Sequence, residues 1–310
     1  MGVAFDPAKD IGPLDGKVIL VTGGNAGLGK QTITNLCAHN PHRIYLAARS
    51  ASKAAAAISD IRSSVPGCCD IVHLPLDLTS FSDITEAAAT FQRAETRLDI
   101  LINNAGIMAC PYSTTKEDYE VQFGTNHMGH ALLTKLLLPT LLRTASEYGD
   151  ARVVTLSSTG HAVNVPGGLI FDQQKLEQQG TWKRYGQSKL SNLLFARELA
   201  ERHPQITSVS IHPGVIFTDL FSSVRANVFL KAGLWIYGLL FPLLPGHYRS
   251  TAGGAMNQTW AAIADKSELV NGAYYKPVGV ESKGSANAKD RGLQKKLWEW
   301  TEAEFEKHGY

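Results

Sequence analysis

Short runs of aliphatic and β-branched residues recur along the chain, and each is followed by a longer stretch in which apolar positions return every three or four residues. The short runs read as strands and the 3.6-residue period as amphipathic helix. On this pattern Lys17–Thr22, Arg43–Ala48, Ile71–Leu76, Leu98–Asn103, Arg152–Ser157 and Thr207–His212 are six strands, with a seventh at Gly272–Tyr275. Helices are expected over Leu28–His39, Ala51–Ser63, Ser80–Arg93, Lys116–Arg143, Trp182–Arg202, Ser250–Ala264 and Asp290–His308. Strands that alternate with helices in this way form a parallel sheet covered on both faces. No Pro/Gly/Ser-rich linker, charge block or internal repeat divides the chain. It is read as one doubly wound α/β domain of Rossmann type, residues 1–310, with about seven strands.

Charge narrows the function classes. The 310 residues carry 30 Lys+Arg against 28 Asp+Glu, a net +2, which gives no electrostatic case for nucleic acid and favours a small-molecule function. Residues 1–15 hold Asp6, Asp10 and Asp15 without a long apolar run and do not resemble a secretory signal, so a reducing, cytoplasmic setting is expected. Cys37, Cys68, Cys69 and Cys110 lack zinc spacing, and no metal is assigned. Residues 228–245 are almost wholly apolar but include Lys231, Pro242 and Pro245, and fall short of the roughly 20 residues needed to span a bilayer. They read as a buried helix or substrate lid, with peripheral membrane contact as the alternative.

The candidate chemistry clusters at predicted strand ends, where such sheets bind ligands. The first strand runs into Thr22-Gly23-Gly24-Asn25-Ala26-Gly27-Leu28-Gly29 and then a helix. Glycines there admit a pyrophosphate to backbone amides at a helix N-terminus. Gly23, Asn25, Gly27, Leu28 and Gly29 are the candidate contacts. The second strand ends at Ala48-Arg49, with Ser50 and Lys53 nearby. A basic residue in place of an acidic one suits a 2′-phosphate, hence NADP(H), although a plain surface arginine would look the same. Asp77, followed by Leu78, either accepts from an adenine amine or caps the next helix. Asn104, Ala105 and Gly106 close the fourth strand with small residues. Tyr185 and Lys189 stand four apart on one helix face, where an ammonium would stabilise a phenolate whose pKa is ordinarily ~10.

Taken together, T-G-x-x-x-G-x-G, Asp77, N-N-A-G, Ser158 and Y-x-x-x-K occur in one order, and the chain resembles the short-chain dehydrogenase/reductase family over nearly its whole length. Asn126-His127-Met128-Gly129-His130 and His212-Pro213-Gly214-Val215 are similar to its retinol-dehydrogenase-like branch. The resemblance implies a catalytic tetrad of Asn126, Ser158, Tyr185 and Lys189. Tyr185 would exchange a proton with the substrate oxygen, Ser158 would donate to that oxygen, Lys189 would lower the Tyr185 pKa and hold the nicotinamide ribose, and Asn126 would hold a water on the proton path. Pro213, Ile216 and Thr218 would line the nicotinamide, and Tyr185 and Lys189 also touch the cofactor. His161 and His212 fall on no tetrad position and are expected to pack or to support.

The resemblance assigns residues 16–150 to cofactor binding and 151–310 to catalysis and substrate. Ser158 and Tyr185 are 27 positions apart, about twice the separation in the short form of the family, so residues 163–182 alter one pocket wall. Residues 219–247 are the expected lid over the other. Their leucines and aromatics point to a lipophilic carbonyl or alcohol, or equally to a dimer or membrane surface. The main expectation is an NADP(H)-dependent reductase or dehydrogenase acting as monomer or homodimer. The alternatives are a catalytically silent cofactor-binding regulator or scaffold, and a reductase of conjugated C=C bonds.

Overall fold

The computed structural model describes residues 2–163, 165–214 and 250–310. One sheet organises them. Its strands are β1 (Val18–Thr22), β2 (Arg43–Ala48), β3 (Asp70–Pro75), β4 (Ile100–Asn103), β5 (Arg152–Leu156), β6 (Thr207–Ile211), β7 (Tyr274–Lys276) and β8 (Val280–Ser282), in the spatial order β3-β2-β1-β4-β5-β6-β7-β8. β1 to β7 are parallel, and β8 adds an antiparallel edge. The sequence missed β8 because three residues after a Pro-Val-Gly turn carry no periodicity. Chain order reverses between β1 and β4, which opens a crevice at their carboxyl ends.

Helices flank both faces: α1 (Pro7–Asp10), α2 (Gly27–Cys37), α3 (Ala51–Ser64), α4 (Phe81–Ala94), α5 (Val121–Phe123), α6 (Gly129–Tyr148), α7 (Gln173–Glu177), α8 (Thr181–Arg202), α9 (Thr251–Ile263) and α10 (Arg291–Lys307). Leu20, Leu101 and Val153 of the sheet meet Phe91 of α4, Leu133 of α6, Leu193 of α8 and Phe305 of α10. Ile19, Ile102 and Val154 point the other way, onto Ile33 of α2, Ile61 of α3 and Trp260 of α9. Strands buried on both faces are apolar throughout, and that is why they read as continuous runs rather than as alternations.

The one long helix expected over Lys116–Arg143 is broken at its start. Residues 115–119 form a tight turn, with Asp118 at φ 63° and the Thr115 N–H donating to Tyr119 O at 2.8 Å. Glu120 then caps α5 by accepting the Phe123 N–H at 2.8 Å. Between α5 and α6 lies a π-helical turn, Gly124–Met128. π turns inside helices gather at functional sites, and this one carries Asn126. Among the described residues no helix is long and apolar enough to cross a membrane. Residues 219–247, the apolar segment 228–245 within them, and Ile216 and Thr218 all lie outside the described residues.

Candidate active site

The glycine turn after β1 is tied to the end of β4 through one hydroxyl. Buried Thr22 accepts the N–H of Asn104 and of Ala105, each at 3.0 Å, while Asn104 Nδ2 donates to Thr22 O at 2.7 Å. His130 Nδ1 lies 3.0 Å from Asn126 O, a carbonyl that can only accept, so Nε2 is bare and takes the Thr22 hydroxyl proton at 2.8 Å. Burial pushes the His130 pKa down to about 4, which keeps the ring neutral in this role. Gly23, at φ 65°, needs a glycine's freedom, and a Cβ on Gly29 would stand 2.5 Å from both Asn104 Nδ2 and Gly23 O. Asn25, Gly27 and Leu28 lie half-buried beside them. Gln258 of α9 braces the turn from behind, donating to Thr32 Oγ1 at 2.6 Å and Asn104 Oδ1 at 3.2 Å.

The N-terminus of α2 fits an anion. Serine or aspartate caps α3, α4, α9 and α10, whereas α2, like α6 and α8, begins with no side-chain cap and no acidic residue in its first turn. Its first amides are left for an external acceptor. At the end of β2, Arg49 is exposed and makes no ion pair among the described residues. Ser50 caps α3 by accepting from the Lys53 N–H at 3.4 Å, and Lys53 is exposed. Asp77 is not a helix cap. Ser80 takes that position, and Asp77 Oδ1 closes a turn by accepting from Thr79 N at 2.9 Å and Thr79 Oγ1 at 2.7 Å. Leu78 is buried against Gly129, where a Cβ would stand 2.5 Å from Leu78 O, a contact that no motif in the sequence announces.

The four tetrad candidates converge across the crevice. Asn126 accepts the Ile107 N–H and donates to Ile107 O, both at 2.9 Å, and also reaches Ser188 Oγ at 2.9 Å. Lys189 Nζ donates to Leu156 O at 3.0 Å and lies 5.9 Å from the centre of the Tyr185 ring. A Cβ on Gly106 would sit 3.1 Å from Asn126 Oδ1 and 3.5 Å from Lys189 Nζ, so this glycine marks where the two meet. The adjacent serines have separate tasks. Ser157 is buried and donates to Lys189 O at 2.7 Å, which ties β5 to α8. Ser158 accepts the Gly160 N–H at 3.0 Å and hydrogen-bonds Tyr185. Pro213 and Gly214 follow β6, with the His212 carbonyl accepting from Asn257 Nδ2 at 2.8 Å.

A glycine turn, the β1/β4 crevice and a Ser, Tyr, Lys and Asn set on one side of it form a recurrent arrangement, and comparison with known proteins agrees. Residues 17–228 match the family profile described as short chain dehydrogenase. The chain is a short-chain dehydrogenase/reductase. It is 36% identical over 308 residues to the short-chain dehydrogenase/reductase drtF of Aspergillus calidoustus, with 95% of each chain covered. Over 291 residues it is 38% identical to retinol dehydrogenase 12 of Mus musculus, covering 92% of this chain and 85% of that one. It belongs to the retinol-dehydrogenase-like branch. Among solved structures, a protein from Mycobacterium paratuberculosis superposes with a TM-score of 0.73 at 28% identity, covering 98% of this chain and 97% of that one. The Pseudomonas aeruginosa RhlG/NADP active-site complex shares the fold, with a TM-score of 0.66 at 23% identity over 86% and 96% of the two chains.

Within this dehydrogenase/reductase, burial dominates the electrostatics of the site. It pushes the Tyr185 phenol up to about 12, opposed only by the Ser158 hydrogen bond, and brings the Lys189 ammonium down to about 8.

Arg184, next to Tyr185, was not legible in the sequence. Its Nε lies 3.0 Å from Glu120 Oε1, with side chains 7% and 0% exposed, and its Nη groups reach Gln179 O and Cys110 O. Burial raises the Glu120 pKa, and Arg184 helps to bring it back. Arg184→Met would strand that carboxylate in the interior. It is expected to lower stability by about 3–5 kcal/mol in a urea titration; a loss below about 1 kcal/mol would show that Glu120 is not charged there.

Proposed function

We propose that the protein is an NADP(H)-dependent oxidoreductase that transfers a hydride between nicotinamide and a lipophilic ketone or aldehyde, or the corresponding alcohol. The observation that carries this reading is the pairing of Asn126 with Lys189 at Gly106 and of Ser158 with Tyr185 at Gly160, beside a helix N-terminus left uncapped. When bound, the nicotinamide supplies or accepts the hydride. Gly23, Asn25, Gly27, Leu28 and Gly29 would hold its pyrophosphate, Arg49 the 2′-phosphate, and Asp77, Leu78, Asn104, Ala105 and Gly106 the adenosine side. Pro213, Ile216 and Thr218 would line the nicotinamide.

Ser158 orients the substrate oxygen by donating its hydroxyl, and Tyr185 delivers a proton to that oxygen in reduction or removes it in oxidation. Lys189 Nζ lies 5.9 Å from the centre of the Tyr185 ring and would hold the ribose hydroxyls; the lowering of the Tyr185 pKa expected from it is not found, because burial raises that pKa and only the Ser158 hydrogen bond opposes it. Asn126, fixed by both main-chain groups of Ile107, would position a water linking Lys189 to solvent, along which protons arrive in reduction and leave in oxidation. The lipophilic substrate class rests on the wall beside the acid. Trp182 is 43% and Val163 52% exposed, and the Trp182 ring stands edge-to-face with Tyr185 at 6.4 Å. An apolar pocket wall favours an apolar ligand.

The deciding experiment follows NADPH and NADH oxidation across a panel of lipophilic aldehydes and ketones. Preference for NADPH is expected, and Arg49→Ala is expected to weaken NADPH binding about 10- to 100-fold, as for loss of a charge-assisted hydrogen bond, with little change for NADH. Equal use of both cofactors would remove Arg49 from this role.

The two directions should respond differently to pH. Tyr185 must carry its proton to act as the acid, and burial holds that proton well above neutrality. Reduction is therefore expected to run level from about pH 6 to about pH 8, while oxidation, which needs the phenolate, climbs over the same range. Paired pH–rate profiles test this; reduction that falls steeply below about pH 8 would contradict it.

A further inference from the structure

His161 belongs to no motif of the reaction, yet one of its ring nitrogens meets the carbonyl of Ser158 and the other the backbone of Ser285. Nδ1 lies 2.5 Å from Ser158 O, and Nε2 lies 3.1 Å from the backbone N of Ser285. A backbone N–H can only donate, so Nε2 must be bare, and the single proton of the neutral ring then sits on Nδ1 and is donated to Ser158 O. A doubly protonated ring would set one N–H against another. The ring is 3% exposed and stands edge-to-face on buried Tyr274 at 5.2 Å, which fixes its plane.

The strap on its far side is built for close approach. Gly284 has φ 68°, and a Cβ there would stand 3.2 Å from His161 Nε2 and 2.8 Å from Ala288 Cβ, so only glycine lets the chain pass. Ala288 is held in turn, its N–H bonded to Ser285 Oγ at 3.3 Å and its carbonyl accepting from Arg197 of α8. Ser158 is thus gripped from both ends. Its carbonyl receives the His161 backbone N–H at 3.1 Å and the imidazole, while its hydroxyl accepts the Gly160 N–H and hydrogen-bonds Tyr185.

We propose that His161, locked as the Nδ1–H tautomer between Ser285 and Ser158, is a positioning residue that sets the direction of the Ser158 hydroxyl toward Tyr185 and the substrate oxygen. The inference rests on the catalytic roles given to Ser158 and Tyr185 above. Its effect falls on turnover rather than on cofactor binding, because the ring faces the serine turn and not the glycine turn after β1.

Two substitutions divide the imidazole between its nitrogens. His161→Asn can place an amide N–H where Nδ1–H was, and His161→Gln can place an acceptor near Nε2 while losing the donor to Ser158. With NADPH and 9,10-phenanthrenequinone as probe, H161Q and H161F are expected to lose at least about tenfold in kcat, and H161N to keep kcat within about threefold of the parent. NADPH affinity, read by quenching of protein fluorescence, is expected to change less than about twofold in all three. Equal kcat in H161N and H161Q, or loss of NADPH affinity in step with kcat, would overturn the assignment.

A second measurement depends on no substrate and on no variant's activity, and uses H161N only to assign the signals. In nitrogen-15 spectra of histidine-labelled protein near neutral pH, the ring whose signals vanish in H161N is expected to carry its proton on Nδ1. A proton on Nε2 overturns the proposal. If Tyr185→Phe turns over as fast as the parent, the functional reading fails; if that variant is inactive while H161Q is fully active, only the role of His161 fails.

Discussion

Replacing Tyr185 with phenylalanine is expected to lower kcat by about 10²- to 10⁴-fold in either direction while NADPH still binds. The substitution removes one oxygen from a ring that is otherwise fully packed. Tyr185 is 6% exposed, its edge meets a turn where a Cβ on Gly160 would stand 3.0 Å from Cε1, and Trp182 covers another side. Phenylalanine fills the same volume, so the fold has no reason to change. One partnership is lost: the Ser158 hydroxyl no longer meets the phenol. Residual turnover would come from positioning alone. Single-turnover hydride transfer measured with preloaded NADPH checks the result directly, and turnover at the parent rate would remove Tyr185 as the acid.

Gly186→Ala is expected to be nearly as damaging by an entirely different route. A Cβ at this helical position would stand 1.5 Å from Val163 O and 2.9 Å from Gly160 O. These are backbone atoms, which cannot swing aside as the end of a side chain can. Either α8 or the turn at Thr159–Ala162 must shift by more than an ångström, and both carry residues of the candidate site, Tyr185 on one and Ser158 as the cap of the other. Overpacking of this severity is expected to cost about 3 kcal/mol or more. If the protein survives it, the Ser158 to Tyr185 hydrogen bond does not. Denaturant titration together with kcat separates the two effects, and parental values for both would show that the turn adapts more freely than its contacts indicate.

The doubly wound domain was legible because its strands are buried on both faces and its helices on one. β2 was read to the residue, and most other boundaries fell within one or two positions. Errors came where local chemistry overrides periodicity. Lys116–Tyr119 carries residues that suit a helix, yet Asp118 adopts a positive φ and Glu120 supplies the cap, so the helix begins at Val121. The candidate site was legible for a different reason. Gly-rich turns, Asn126, Ser158, Tyr185 and Lys189 stand in one order along the chain, and the fold sets Asn126 beside Lys189 and Ser158 beside Tyr185.

What no motif could reveal is the support behind those residues. Arg184 against Glu120, Gln258 against Thr32, and His161 against Ser285 join positions far apart in sequence, and each pairing depends on a packing geometry that only the folded chain defines. Asp77 shows the same limit on a smaller scale. Its residue type suited two roles, and the position of Ser80 decided against one of them.

Two of the tetrad candidates take their anchors from the main chain: Asn126 from both groups of Ile107, and Lys189 from the carbonyl of Leu156. A peptide group is present whatever the residue. The side chains at 107 and 156 can therefore diversify without loosening either candidate, provided that their size still suits the core. Variation in the pocket wall around Val163 and Trp182 is likewise decoupled from these anchors. Libraries at Val163 and Trp182 can therefore vary the surface beside Tyr185 while the anchors of Asn126 and Lys189 stay in place.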